Sequence, residues 1–201
     1  MDIKIGLIGA SGRFGKAIAA HHPIIPIDRT TSRKDLDCDV LIDVSSHTAL
    51  LENLSAHKPI VIGTTGHLDL APIEQAAKHL PIFYAPNFSL GMALFRKIAQ
   101  EIAARFPSDI DLIETHHSTK KDAPSGSAIQ LAKLIPNLNI HSIRSGKIIG
   151  EHTLLFNTAE ERLTLTHTAH SRDAFAHGAI TAARFLVGKP PGLYTMDNLF
   201  S

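Results

Sequence analysis

An α/β fold in two parts is what this sequence predicts, and three features predict it. Up to Tyr84, short apolar runs alternate with helical stretches. A glycine-punctuated turn, Gly9-Ala-Ser-Gly12-Arg13-Phe-Gly15, sits between the first apolar run and the first helical stretch. Beyond Asn87 the pattern changes to long amphipathic helices and strands of alternating polarity. Continuous apolar strands interleaved with helices imply a parallel sheet covered on both faces, whereas alternating strands imply a sheet with one covered face.

Taken in order, Ile3 to Ile8 reads as a first strand, and the glycine turn opens a helix over Phe14 to Ala20. Ile24 to Ile27 is a second strand, ending at Asp28-Arg29, and Val40 to Val44 is a third. Pro59 to Gly63 and Pro81 to Tyr84 supply the fourth and fifth, with helices expected over Thr48–His57 and Leu70–His79. Leu90, Leu94, Ile98 and Ile102 recur at helical spacing, so Ser89 to Phe106 reads as one long helix. A strand over Asp109 to Glu114 and a helix over Ser127 to Ile135 follow. His141–Arg144, His152–Thr158 and Arg162–Thr168 alternate as half-buried strands, the last two forming a hairpin around Glu160-Glu161. Asp173 to Val187 is a final amphipathic helix, closed by Gly188-Lys-Pro-Pro-Gly192. The expected organisation is a first domain over 1–87 plus 172–201, and a second, α+β domain with an open, mostly antiparallel sheet over 88–171.

Bulk composition narrows the function. With 20 basic and 19 acidic residues the net charge is +1, so no global field draws the chain to nucleic acid or to a membrane surface. No apolar run approaches the ~20 residues of a spanning helix, and the strand that starts at once leaves no room for a signal peptide. One cysteine, Cys38, rules out an internal disulfide and suits a reducing compartment, so a cytoplasmic protein is expected. Cys38 lies in a polar stretch with no histidine near it in sequence, which argues against a nucleophile.

The glycine turn has the context of a nucleotide loop. A Rossmann-like fold needs glycine where the chain turns tightly, where backbone meets pyrophosphate, and where the helix packs on the strand. Gly9, Gly12 and Gly15 meet those needs, with a strand before and a helix after. Asp28, closing the second strand, stands where an acid accepts from adenosine ribose hydroxyls, which favours NADH. Arg29 beside it can stack on adenine or pair with a 2′-phosphate, so NADPH is also expected to bind. Gly63-Thr64-Thr65-Gly66 belongs on the same carboxyl edge, where ligands gather in open α/β sheets.

The densest chemistry lies in Glu114-Thr-His116-His117-Ser-Thr-Lys120-Lys121-Asp122-Ala-Pro124-Ser125-Gly126-Ser127. Histidine carries the proton that is mobile near neutrality. Two lysines add positive charge, and Ser-Gly-Ser opens a helix whose first N–H groups suit a carboxylate. The segment is equipped to hold a small polyanion and to protonate it. Adjacent histidines on a strand point to opposite faces, so His116 and His117 are expected to play different parts. They lack the i, i+4 spacing of helical zinc ligands, and no metal is expected.

Those residues resemble the 4-hydroxy-tetrahydrodipicolinate reductase (dihydrodipicolinate reductase) family. Its signature E-x-H-H-x-x-K-x-D-A-P-S-G-T-A stands here with Ser127 in place of Thr. The nucleotide loop, Gly63–Gly66, Ala85-Pro86-Asn87-Phe88-Ser-Leu-Gly91, Thr166–Arg172, Phe175–Ala179 and Pro191–Tyr194 fit as well, so the resemblance covers nearly the whole chain. It implies reduction of 4-hydroxy-tetrahydrodipicolinate to tetrahydrodipicolinate in lysine and diaminopimelate biosynthesis. Hydride would pass from NADH or NADPH to C4 of the cyclic dicarboxylate, with loss of its hydroxyl as water. His116 would be the general acid/base and Lys120 the proton donor, with His117, Gly126 and Ser127 on the substrate carboxylates. The cofactor would rest on Gly9, Ala10, Ser11, Gly12, Arg13, Phe14, Asp28, Arg29, Gly63, Thr64, Thr65, Ala85, Pro86, Asn87 and Phe88. A homotetramer built through the second domain's sheet is implied too.

The chain departs from the family in one place. Only Thr30 to Asp39 join the second and third strands, where the family usually has several tens of residues, so a helix and a strand of the nucleotide half are expected to be missing. Val44-Ser45-Ser46-His47 also differs from the family's usual aromatic or Thr followed by Pro. Two competing readings are a catalytically silent nucleotide-binding protein and another imine reductase on the same scaffold.

Overall fold

The computed structural model describes residues 3–33, 36–64 and 69–200. The chain divides into two compact units, residues 1–90 with 173–201, and residues 91–172. Residues 88–90, expected with the second part, pack with the first because Phe88 is buried against Phe83 and Phe14, with ring centroids 6.4 and 6.0 Å away.

In the first unit, strands β1 (Ile5–Ile8), β2 (Ile24–Ile27), β3 (Val40–Asp43), β4 (Ile60–Ile62), β5 (Pro81–Tyr84) and β10 (Gly192–Tyr194) form one parallel sheet, ordered β10-β5-β4-β3-β1-β2. Helices α1 (Arg13–His21), α2 (Leu50–Leu54), α3 (Ala71–Ala77) and α6 (Asp173–Leu186) accompany it. β1, β3 and β4 are buried at every position, which is why they read as apolar runs, broken only by Asp43 at the end of β3. α6 packs on β3, β4 and β5, and Gly178 permits this: a Cβ there would stand 1.7 Å from the Phe88 carbonyl oxygen. β10 and the short 3-10 turn Met196–Phe200 lie beyond the elements expected from sequence.

The order shows what the short connection does to the fold. β1 has β2 on one side and β3 on the other, so the switch point lies between β1 and β3. A doubly wound sheet of order 3-2-1-4-5-6 has a further strand outside the second, and here β2 is the edge. The described residues between Ile27 and Val40 form no helix or strand. They cover the sheet by side chains instead, with Cys38 and the partly buried Leu36 joining Ile27, Leu41, Leu50, Ile60 and Ile73 in one core cluster. The Cys38 thiol is 5% exposed, and burial pushes its pKa up, so it is a core group. Pro26 on the edge strand has no N–H to offer a further strand.

In the second unit, β6 (Asp109–His116), α5 (Gly126–Leu134) and β7 (Asn139–Arg144) form a crossover, so β6 and β7 run parallel. β8 (Gly150–Asn157) and β9 (Arg162–Ala169) form the expected hairpin, and both β6–β8 and β8–β9 pair antiparallel. The sheet order is β7-β6-β8-β9. One face is covered by α4 (Leu90–Arg105) and α5, where Met92, Phe95, Ala99, Leu112, Leu131, Leu154 and Phe156 form the core. No helix among the described residues is long and apolar enough to cross a membrane.

Candidate active site

β6 sets the second unit's site. Ile110, Leu112, Glu114 and His116 alternate on its covered face, and the strand runs two residues further than its apolar pattern suggested. Glu114 is 0% exposed and is surrounded by donors. Its Oε1 accepts from Arg144 Nη2 at 2.7 Å and from the Ser125 amide at 3.2 Å, and its Oε2 accepts from His116 Nδ1. Burial pushes the Glu114 carboxyl up, but bonds from Arg144, Ser142, His116 and Ser125 outweigh it and hold the pKa at about 2. Glu114 is therefore an anion near neutrality.

That charge fixes the ring beside it. An ionised carboxylate only accepts, so Nδ1 of His116 carries the proton and Nε2 is left with a free lone pair in the neutral ring. Burial lowers the His116 pKa, Glu114 opposes that shift, and Lys120 and Arg144 reinforce it. Space for the ring depends on Gly150, since a Cβ there would lie 3.1 Å from Nε2.

His117 follows the end of β6, half-buried, with Nδ1 2.8 Å from Thr119 Oγ1. The strand ends at His116, so the two rings differ by lying inside and outside β6 and not by facing opposite sides of one strand. Lys120 Nζ pairs with Asp122 at 2.8 Å, and its ammonium holds the Asp122 carboxyl below the usual carboxylate range. Arg144 Nη2 also donates to the Asp122 carbonyl at 2.5 Å, tying the loop to β7. Ser125 caps α5 by accepting from the Ala128 amide at 3.3 Å. A Cβ on Gly126 would meet nothing within 4 Å, so its backbone faces open space beside that helix start.

His152 completes the cluster from β8. It is 3% exposed, its ring stands edge-on to His116 at 5.3 Å, and its Nε2 lies 3.4 Å from Ser125 Oγ. Burial first, then the charges of His116, His167 and Lys120, push its pKa down to about 4. Glu114, His116 and His152 bring three potential metal-ligand atoms within 4.8 Å of one another. His116 thus does have ligating neighbours, which the sequence spacing could not show because His152 arrives by strand pairing. Arg144 on Glu114 sets a positive charge against a cation there.

Arg144 and His152 escaped the sequence reading. Arg144 sits opposite His116, and His152 opposite Glu114, only through the β6–β7 and β6–β8 registers. A buried-face position for His152 was legible in the alternation of its strand, but not its partners.

In the first unit the predicted cofactor residues gather on one edge, at the carboxyl ends of β1, β2, β4 and β5. Gly9 has φ +88°, and a Cβ there would meet the Val44–Ser45 backbone at 2.9 Å. Ala10 and Ser11 complete the turn, Gly12 precedes α1, and Arg13 and Phe14 are its first residues. A Cβ on Gly15 would stand 2.2 Å from the Gly9 carbonyl, so helix and turn are in backbone contact. No side chain caps α1, which leaves its first N–H groups for a phosphate.

Asp28 and Arg29 follow β2, both exposed. The Asp28 carboxyl is held at about 2 by bonds from the Thr30 and Thr31 hydroxyls and amides. Gly63 leaves room for the Phe88 ring, 2.6 Å from where its Cβ would be, and Thr64 Oγ1 is buried with no hydrogen-bond partner among the described residues. Thr65 and Gly66 lie outside the described residues. Ala85, Pro86, Asn87 and Phe88 follow β5, where Asn87 Oδ1 accepts from the Ser89 amide at 2.8 Å. An uncapped helix start, a cradle that side chains would fill and an orphaned hydroxyl fit a dinucleotide.

Comparison with known proteins bears on both units. The family described as "Dihydrodipicolinate reductase, C-terminus" matches residues 91–200, and "Dihydrodipicolinate reductase, N-terminus" matches 19–88. The chain is 35% identical to the 4-hydroxy-tetrahydrodipicolinate reductase of Caldanaerobacter subterraneus subsp. tengcongensis over 247 aligned positions, covering 99% of this chain and 98% of that protein. It is 38% identical to the enzyme of the same name from Akkermansia muciniphila, covering 98% and 97%. Because 247 positions exceed the 201 residues here, the first relative carries residues with no counterpart in this chain. The dipicolinate-bound dihydrodipicolinate reductase from Paenisporosarcina sp. TG-14 shares the fold, with a TM-score of 0.84 at 24% identity over 99% of this chain and 100% of that one.

Proposed function

The chain belongs to the dihydrodipicolinate reductase family, and from that membership we propose how its residues carry out the family's reaction. The activity is NAD(P)H-dependent reduction of 4-hydroxy-tetrahydrodipicolinate to tetrahydrodipicolinate, a step of lysine and diaminopimelate biosynthesis. The reaction takes up one hydride and one proton and releases water. Bound NADH or NADPH supplies the hydride. The first unit holds the cofactor, with the α1 start and Gly9 to Phe14 on pyrophosphate, Asp28 and Arg29 at the adenosine, and Gly63, Thr64, Thr65 and Ala85 to Phe88 along the remaining edge.

The second unit holds the dicarboxylate and manages its protons. His117, Gly126 and Ser127 bind the carboxylates, by charge and by N–H groups at the α5 start. His116 exchanges a proton at Nε2, with Nδ1 committed to Glu114. Lys120 donates the proton that the reaction consumes, its charge balanced by Asp122. The buried Glu114–His116 pair carries this reading, since a ring oriented by a fixed anion is what general acid/base catalysis requires.

The chain assembles as a homotetramer in the cytoplasm through the sheet face opposite α4 and α5. That face presents Ile113, Leu155 and the exposed Ile143 among threonines 153, 164 and 166, with Asp111, Glu151 and Arg162 at its margins, an apolar and hydroxyl centre suited to a second copy.

The experiment generates the labile substrate in situ from pyruvate and aspartate semialdehyde with a synthase, then follows NADH or NADPH absorbance. Oxidation that requires every component is the expected result, and the two rates give the cofactor preference. No oxidation by a folded protein that still binds nucleotide would overturn the proposal in favour of a silent binder.

A further inference from the structure

The short connection between β2 and β3 contains a buried arginine. Arg33 is 8% exposed, and its donors are spent inside the first unit. Nε donates to Asn53 Oδ1 at 3.1 Å, and Nη1 donates to the carbonyls of Asp28 at 2.9 Å and Thr31 at 2.6 Å. Nη2 lies 3.7 Å from the Glu52 carboxylate. Asn53, 1% exposed, passes the connection inward by donating to Asp43 Oδ2 at 2.7 Å. Asp43, 0% exposed at the end of β3, accepts at Oδ1 from the Ser45 amide at 2.9 Å and the Ser45 hydroxyl at 2.6 Å. That Ser45 nitrogen is the atom 2.9 Å from where a Gly9 Cβ would stand. One line of buried bonds therefore joins the loop after β2 to the floor of the glycine turn.

We propose that Arg33 is a positioning residue for the adenosine end of the cofactor, taking over the task of the chain segment that this protein lacks. The inference rests on the reading of the first unit as the NAD(P)H-binding unit. Leu36 and Cys38 anchor the far end of this connection in the core, whereas Asp28 to Thr31 are polar residues whose hold comes from hydrogen bonds. A buried guanidinium is costly unless its donors are met, and here Nε and Nη1 are met by a side-chain amide and two loop carbonyls while Nη2 faces the Glu52 carboxylate. The same loop presents Asp28. Four bonds from Thr30 and Thr31 converge on Asp28 Oδ1, at 2.7 to 3.0 Å, which leaves Oδ2 for ribose hydroxyls. Releasing Arg33 frees the loop and with it the orientation of that carboxylate, while Lys120 and His116 on the second unit keep their own supports.

The test compares wild type with Arg33→Met and Arg33→Lys by calorimetric titration with ADP-ribose and with nicotinamide mononucleotide, and by steady-state kinetics. Arg33→Met is expected to weaken ADP-ribose binding and raise KM for NADH by about tenfold or more, with kcat at saturating NADH held within about twofold. Nicotinamide mononucleotide affinity and KM for the dicarboxylate should not move. Arg33→Lys, which keeps charge but cannot reach Asn53 and both carbonyls in one plane, should fall between. Unaltered ADP-ribose affinity in a folded Arg33→Met protein overturns the proposal. If Arg33→Met does not fold, unaltered affinity in Arg33→Lys overturns it equally. A wild-type protein that neither binds ADP-ribose nor oxidises NADH would instead overturn the reading of the unit.

Discussion

His116 Nδ1 donates to the Glu114 carboxylate on the covered face of β6, with Arg144 holding the far oxygen of that carboxylate at 2.7 Å. This arrangement sets the ring's tautomer, its orientation and part of its basicity. Glu114→Gln keeps the shape and removes the charge, so Nδ1 protonation is no longer enforced. We expect kcat/KM to fall by roughly a hundredfold. Glu114 favours the charged form of His116, so its loss moves the pH limb governed by His116 to lower pH. A pH–rate profile with an unmoved limb would show that the pair does not tune the ring.

Arg144 neutralises a fully buried anion. Arg144→Leu leaves Glu114 without its strongest donor and frees the Asp122 carbonyl. The expected loss is about 3 kcal/mol of stability, as when one partner of a buried ion pair is removed. Denaturant titration measures it directly, and a loss within the range of surface substitutions would contradict the role.

Lys120→Met removes the proposed proton donor while leaving Glu114 and His116 in place. Turnover should drop by several orders of magnitude, with NADH binding by fluorescence titration nearly unchanged. Equal losses of turnover and nucleotide affinity would point to a structural part for Lys120.

Acid should unfold the second unit in two steps of different origin. His152 has a folded pKa near 4, below its ordinary 6.5, so its contribution is full above the ordinary value and is lost as pH falls through about 4. Glu114, lowered from 4.5 to about 2, contributes above its ordinary value and loses that contribution as pH falls through about 2. Either shift corresponds to about 3 kcal/mol at most. His152→Gln should flatten stability between pH 6.5 and 4 and leave the Glu114 limb below it. Guanidinium melts across that range give the two slopes.

Gly9→Ala places a side chain at φ +88° and within 2.9 Å of the Val44–Ser45 backbone. The turn must shift, and KM for both NADH and NADPH should rise by about tenfold or more, while KM for the dicarboxylate stays put. Unchanged cofactor KM would show that the turn does not bear the pyrophosphate.

The architecture was largely legible in the chain because its cause is local. A parallel sheet buried on both faces demands strands such as Ile60–Ile62 that are apolar throughout, or Val40–Asp43 that are apolar up to a hydrogen-bonded last residue, and a half-covered sheet demands alternation such as that of Gly150–Asn157. The histidine and lysine segment was legible for a similar reason: Glu114 to Ser127 is contiguous, so its donors and charges are neighbours in sequence before they are neighbours in space. β10 was missed because three residues of loop composition carry no periodic signal, and only pairing with β5 makes them a strand.

By itself, then, the sequence determined the two-part fold, the glycine turn, the cluster of histidines and lysines that begins at the end of β6 and the shortened connection after β2. Tertiary structure alone decided that Arg144 and His152 belong with Glu114 and His116, since strand register brings residues from β7 and β8 beside β6. It alone decided that Arg33, on a loop of polar composition, turns inward to Asn53 and the Asp28 and Thr31 carbonyls instead of outward to water. Periodicity reports which face a residue takes, because a helix or strand repeats within a few residues. The partner it meets there depends on pairings between distant segments, which no local pattern encodes.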